Sequence, residues 1–222
     1  MKLKTKVRLA LQHWSIRQAL KPLKRSGAMT REEMTTFRHA FSNEGFSADV
    51  DYLLAVLGNL TAGPVLECGT GATTLIAECI GAKGGFRTHS LEQDPEWSAH
   101  VRRFLDRTNA VQVIDAHLGD RGDHLWYEAP TDLPRHFSLV ICDGPAIYGH
   151  PEPYLSGWRY GVLPWLRNTG RTYDVLLLDD TNEPRGQPLL ARWQKEFGIS
   201  AEVVKATDGS SYAIVRPAPA GA

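Results

Sequence analysis

The stretch Pro64-Val65-Leu66-Glu67-Cys68-Gly69-Thr70-Gly71-Ala72-Thr73-Thr74 decides the fold. It reads as a short apolar strand that ends in an acid, a glycine turn, and the first turn of a helix. Glycine lacks the Cβ that would keep a ligand away from main-chain N–H groups, so such a turn suits close approach of a bound molecule. A second acid, Glu92, closes the next apolar run about 20 residues later, where a βαβ unit places a carboxylate against a ribose. The pair predicts a nucleoside-containing cofactor across the first two strands.

Outward from that turn the pattern alternates. Strands are expected at Val65-Leu66, Phe86–Leu91, Val111–Ile114, Phe137–Cys142 and Val175–Leu178. Helices are expected over Thr74–Ile80, Asp94–Leu105, Gly157–Asn168 and Pro184–Phe197. Pro95 suits a first helical turn. The runs 201–205 and 211–215 flank Thr207-Asp208-Gly209, a hairpin signal. The expected fold class is α/β: a Rossmann-like doubly wound sheet of five parallel strands with a C-terminal antiparallel hairpin, helices on both faces, and an N-terminal helical extension. The expected division is an extension over 1–60, a cofactor-binding domain over 61–217 and a frayed tail over 218–222.

The extension opens with Lys2, Lys4, Lys6, Arg8, Arg17, Lys21, Lys24 and Arg25 and no acid among them. Leu3, Val7, Leu11 and Trp14 recur at helical spacing, which makes a basic amphipathic helix. It is expected to act as a lid over an acceptor site, as a homo-oligomer contact, or as a surface for anionic lipid or substrate. Thr30-Arg31-Glu32-Glu33 reads as a capping box.

Composition bounds the function. The 222 residues carry 25 Lys and Arg against 25 Asp and Glu, a formal net charge of zero. A generalised nucleic-acid surface is not indicated. No apolar run reaches the length of a membrane span, and Gln12 and His13 break the stretch a signal peptide would need. Cys68, Cys79 and Cys142 lack metal-ligand spacing and read as reduced buried thiols, which fits a cytoplasmic protein.

The turn Glu67-Cys68-Gly69-Thr70-Gly71, the acid Glu92 in Ser90-Leu91-Glu92-Gln93-Asp94-Pro95-Glu96-Trp97, and Ile141-Cys142-Asp143-Gly144-Pro145 together resemble class I S-adenosylmethionine-dependent methyltransferases. The resemblance covers roughly residues 50–216. It implies S-adenosylmethionine as cofactor and a small-molecule methyl acceptor. Glu67, Cys68, Gly69, Thr70 and Gly71 would hold the methionyl end, with Glu67 facing its ammonium group. Thr73 and Thr74 stand where many members have a third glycine, and a hydroxyl there would bond the cofactor carboxylate. Glu92 would accept from both ribose hydroxyls. Gln93 would lie at the adenine edge, and the loop 116–120, with Gly119 and Asp120, would line the adenine.

Asp143, Asp179 and Asp180 end neighbouring strands, so their carboxylates converge on one rim. Such oxygen ligands suit Mg²⁺. The pattern is similar to the catechol O-methyltransferase-like and macrocin O-methyltransferase-like branches, where these positions hold a divalent ion. The alternatives are helix capping by Asp180 or Thr181, and a metal-free role for Asp143 at cofactor or substrate. Without a metal a base is needed, and His150, Tyr148 and His117 are the candidates; the expected catalytic set is Asp143, His150 and Tyr148. The aromatic, proline-rich stretch 146–160 would shape the acceptor pocket. Rival readings are a nucleotide-sugar- or NAD-using enzyme on a similar sheet, and a non-catalytic nucleoside-binding protein.

Overall fold

A computed structural model describes residues 3–41, 48–106, 108–146 and 159–218. Four helices come first among these: α1 (Leu3–Ala19), α2 (Lys21–Ser26), α3 (Arg31–Phe41) and α4 (Val50–Asn59). Gly27, at φ 78°, ends α2. The capping box forms: the Thr30 N–H donates to Glu33 Oε2 at 2.8 Å and the Glu33 N–H to Thr30 Oγ1 at 3.2 Å. Asp49 caps α4 by accepting from the N–H groups of Asp51 and Tyr52, which satisfies donors the helix start leaves open.

The sheet follows. Its elements in chain order are β1 (Val65–Cys68), α5 (Ala72–Gly84), β2 (Thr88–Glu92), α6 (Pro95–Arg102), β3 (Val111–Asp115), β4 (Leu118–Asp120), β5 (Leu125–Tyr127), β6 (His136–Cys142), α7 (Val162–Asn168), β7 (Thr172–Leu178), α8 (Gly186–Phe197), β8 (Ser200–Lys205) and β9 (Ser211–Arg216). Seven strands lie in the order β3-β2-β1-β6-β7-β9-β8. The first five of that order run parallel, while β9 is antiparallel to β7 and to β8. This is the doubly wound sheet with a terminal hairpin that the sequence predicts. The strand order reverses between β1 and β6, and ligands of open α/β sheets bind at the carboxyl ends of strands at such a point.

Strand alternation sorts the core into two layers. Val65, Leu139, Ile141 and Leu177 face one side and pack with α5 and with Ile16, Leu23, Met34, Phe37 and Leu53 of the N-terminal helices. Leu66, Val140, Leu176 and Leu178 face the other, against Trp126, Tyr127 and Trp193. The buried side chains of the four N-terminal helices therefore share a core with the sheet. Tyr52 fastens them further, its hydroxyl donating to the Leu177 carbonyl at 3.2 Å. On α1, Ile16 joins this core while Leu11 and Trp14 stay 61% and 62% exposed.

Two features differ from the sequence reading. The loop after β3 is a small antiparallel hairpin, with β4 and β5 pairing Leu118 to Tyr127. Three-residue strands are too short to show a period. Several ends also shift: β2 starts at Thr88, α6 stops at Arg102, and α8 starts at Gly186. The start expected at Gly157 for α7 lies outside the described residues. No described helix is long and apolar enough to cross a membrane.

Candidate functional site

The turn between β1 and α5 is clamped from both sides by acids. Glu92, at the end of β2, is 3% exposed. Its Oε2 accepts from the Thr70 N–H at 2.9 Å and the Thr70 hydroxyl at 2.8 Å, and its Oε1 accepts from the Asp94 N–H at 2.9 Å. Trp97 adds a fourth hold, its indole N–H donating to the Thr70 carbonyl at 2.8 Å. Burial raises the Glu92 pKa, and the N–H and hydroxyl donors oppose that rise.

Glu67 works from beneath. Its carboxylate is fully buried and accepts from the hydroxyls of Thr73 at 2.5 Å, Thr74 at 2.8 Å, and Ser90. Thr74 Oγ1 in turn accepts from the Gly71 N–H at 2.8 Å. The two threonine hydroxyls expected to meet a cofactor carboxylate are thus turned to Glu67, and Glu67 is turned into the protein. Desolvation pushes the Glu67 carboxyl up to about 7 against the pull of the three hydroxyls.

The turn needs a glycine at position 69. Gly69 has φ 91°, and a Cβ there would lie 2.8 Å from the Gly144 nitrogen. The Gly144 N–H donates to the Cys68 carbonyl at 2.6 Å, so the loops after β1 and β6 touch backbone to backbone. Beside Gly71 a Cβ would meet nothing within 4 Å. Space is therefore open beside Gly71, at the N-terminus of α5, and main-chain N–H groups at a helix start favour a carboxylate. The Cys68 side chain points to the opposite layer, and burial raises its thiol pKa well above the usual range, so it is inert.

Gln93 bridges two neighbours. Its Nε2 donates to the Ala146 carbonyl at 3.2 Å, and its Oε1 accepts from the Tyr127 hydroxyl at 3.0 Å. Gly119 and Asp120 sit on the β4–β5 hairpin, with Asp120 exposed and accepting from the Gly122 N–H at 2.7 Å. His117 is exposed. His150 and Tyr148 lie outside the described residues.

Asp143 follows β6, and Asp179 and Asp180 follow β7. One carboxylate oxygen from each lies within 4.8 Å of the others, so the convergence read from the sequence is present. Arg159 stands among them. Its Nη2 donates to Asp143 Oδ1 at 3.0 Å and to Asp180 Oδ2 at 2.8 Å, and its Nη1 donates to the Asp179 carbonyl at 2.8 Å. Burial works against the Arg159 charge. Asp143, then Asp180 and Asp179, outweigh it and hold the pKa above that of an ordinary arginine. Burial raises Asp143 and Asp179, and their carboxylate neighbours raise them further, while Arg159 opposes the rise.

Three side chains of the candidate site escape the sequence reading: Arg159, Tyr127 and Ser90 in its role as donor to Glu67. Arg159 looks like any loop arginine in the sequence. Tyr127 lies on a strand too short to recognise. Ser90 is two residues before Glu92 on β2 and faces β1, a placement that parallel register alone supplies.

The fold is that of class I S-adenosylmethionine-dependent methyltransferases, and solved structures share it. An O-methyltransferase from Bacillus cereus in complex with SAH aligns at TM-score 0.54 and 15% identity, over 89% of this chain and 96% of its own. The SAH-bound Podospora anserina methyltransferase PaMTH1 aligns at TM-score 0.55 and 13% identity, over 99% of this chain and 97% of its own. The N-terminal domain of human METTL16 aligns at TM-score 0.50 and 13% identity, over 85% and 82%. No protein-family model and no curated protein matches the chain.

Proposed function

We propose that the chain is an S-adenosylmethionine-dependent methyltransferase that acts on an oxygen of a small-molecule or sugar-containing acceptor. One observation carries this reading: the Gly69–Thr74 turn is fastened by Glu92 and Glu67 at the reversal of strand order, with its open side at Gly71. Bound S-adenosylmethionine would supply an electrophilic sulfonium methyl group for in-line displacement. Glu92 would offer its Oε1 to ribose hydroxyls beside the Asp94 N–H that it accepts. Gly71 and the start of α5 would receive the methionyl carboxylate. Glu67 acts in this account as a positioning residue, holding Thr73 and Thr74 so that the turn keeps its shape. Gln93 would meet the adenine edge.

Orientation and exclusion of water are the main contributions of the protein, because the methyl donor is already activated. The acceptor hydroxyl must lose a proton as its oxygen takes the methyl group. Asp143 is the proposed base, at the carboxyl end of β6, with His150 and Tyr148 as proposed further members of the site. The three rim carboxylates have the oxygen donor set for Mg²⁺. Arg159 already bonds two of them, so a divalent ion does not fit while it stays in place. Zero net charge favours a small acceptor over a polyanion.

Incubation with methyl-labelled S-adenosylmethionine and an acceptor library tests the reading. Label transfer to a small hydroxyl compound is expected. Thermal stabilisation by NAD or a UDP-sugar, with none by S-adenosylhomocysteine, would replace it with a rival.

A further inference from the structure

The rim of three carboxylates poses a physical problem. Asp143, Asp179 and Asp180 bring one oxygen each within 4.8 Å of the others, and like charges so close repel strongly when water is excluded. A divalent cation would resolve this, and so would a cationic side chain. Arg159 is 5% exposed and reaches all three residues. Its Nη2 is shared between Asp143 and Asp180, which puts its positive charge on the ground between them.

Arg159 is held there by more than its charge. Its φ of 52° and the Asp180 φ of 57° both lie in the left-handed region, which non-glycine residues rarely adopt. Such conformations persist only where surrounding contacts fix them. Those contacts are visible. The Trp193 indole N–H donates to the Tyr160 carbonyl at 3.1 Å. Gly161 lies so close to Trp126 that a Cβ would meet the ring at 2.6 Å. The backbone just after Arg159 is thus pinned to the buried layer beneath the rim.

We propose that Arg159 is the resident cation of this rim, taking the place a divalent ion would take and positioning Asp143 for the acceptor without metal. The inference rests on the methyltransferase reading for what Asp143 does, but the exclusion of metal by Arg159 stands apart from it. Arg159 is a positioning residue. It holds Asp143 and Asp180 through charge-assisted hydrogen bonds from one Nη2, while its Nη1 holds the Asp179 carbonyl, a fork that lysine reproduces only as a point charge.

The test uses the full chain and Mn²⁺ alone, with free Mn²⁺ read by electron paramagnetic resonance. Wild type and Arg159→Lys are expected to bind no Mn²⁺ at the rim. Arg159→Ala is expected to bind one Mn²⁺ at least about tenfold more tightly than wild type, because three oxygen ligands are then left without a cation. Adding Asp180→Asn to Arg159→Ala should remove that binding. A purely structural arginine would not create a metal site on removal. Binding by Arg159→Ala no tighter than by wild type overturns the proposal. So does single-site Mn²⁺ binding by wild type that Asp180→Asn abolishes, an arm that decides the matter even if Arg159→Ala does not fold. S-adenosylhomocysteine titrated into the same samples separates the two readings: its failure to bind wild type sinks the methyltransferase reading and leaves the Mn²⁺ result intact.

Discussion

Replacing Glu67 by Gln isolates the cost of a buried carboxylate under the turn. The shape is kept and the charge is lost. Burial pushes the Glu67 carboxyl from 4.5 up to about 7 in the folded chain. Folding therefore takes up a proton between these values, and stability falls as pH rises through that window. Below pH 4.5 the folded and unfolded chains are both largely protonated at this group and the cost vanishes. Above about 7 the cost is complete. At about 1.4 kcal/mol for each tenfold change in proton concentration, the gap amounts to about 3 kcal/mol. Glu67→Gln carries no such cost at any pH. Its amide can meet the hydroxyls of Thr73, Thr74 and Ser90, which are able to rotate and accept. Urea unfolding of both proteins between pH 4.5 and 8 measures the difference. The stability of Glu67→Gln relative to wild type should rise by about 3 kcal/mol across the window. Parallel curves for the two proteins would refute the placement of Glu67 as a desolvated carboxylate.

Other substitutions probe the scaffold. Gly144→Ala puts a methyl group 2.5 Å from the Tyr127 hydroxyl and 2.8 Å from the Gly69 Cα. It should cost about 1–3 kcal/mol in chemical denaturation and weaken S-adenosylhomocysteine binding together with stability. Tyr52→Phe removes the hydrogen bond to the Leu177 carbonyl, and a loss of about 0.5–1.5 kcal/mol is expected by the same measurement. Trp97→Phe keeps most of the packing but removes the indole hold on Thr70. Calorimetry should show weaker S-adenosylhomocysteine binding with a smaller change in unfolding free energy.

Much of this architecture is legible in the sequence because its signals are local. Val65 to Cys68, Phe137 to Cys142 and Val175 to Leu178 are short apolar runs of the kind buried in a parallel sheet, and Asp94-Pro95 marks the start of α6. The acids Glu67, Glu92 and Asp143 stand at strand ends, where the sheet order brings them to one edge. What they touch is less legible. That Thr73 and Thr74 turn toward Glu67 depends on how α5 leaves the turn, and that Ser90 joins them depends on the register of β2 against β1. Arg159 stands at the far end of the β6–α7 connection, and the backbone just after it is fixed by Trp126 and Trp193, which sequence spacing does not connect to it. The N-terminal helices read as an appendage because their amphipathic pattern is visible while their partner face is not. Phe37, Tyr52 and Leu53 show that face to be one buried cluster with α5 and the sheet residues Val65 and Leu177.

Isothermal titration of wild type and Glu92→Ala with S-adenosylhomocysteine is the most direct trial of the nucleoside cradle. Saturable one-to-one binding is expected for wild type, weakened by roughly 1–3 kcal/mol in a Glu92→Ala protein that still unfolds cooperatively. Equal affinities in the two proteins, or no heat of binding in either, would contradict it.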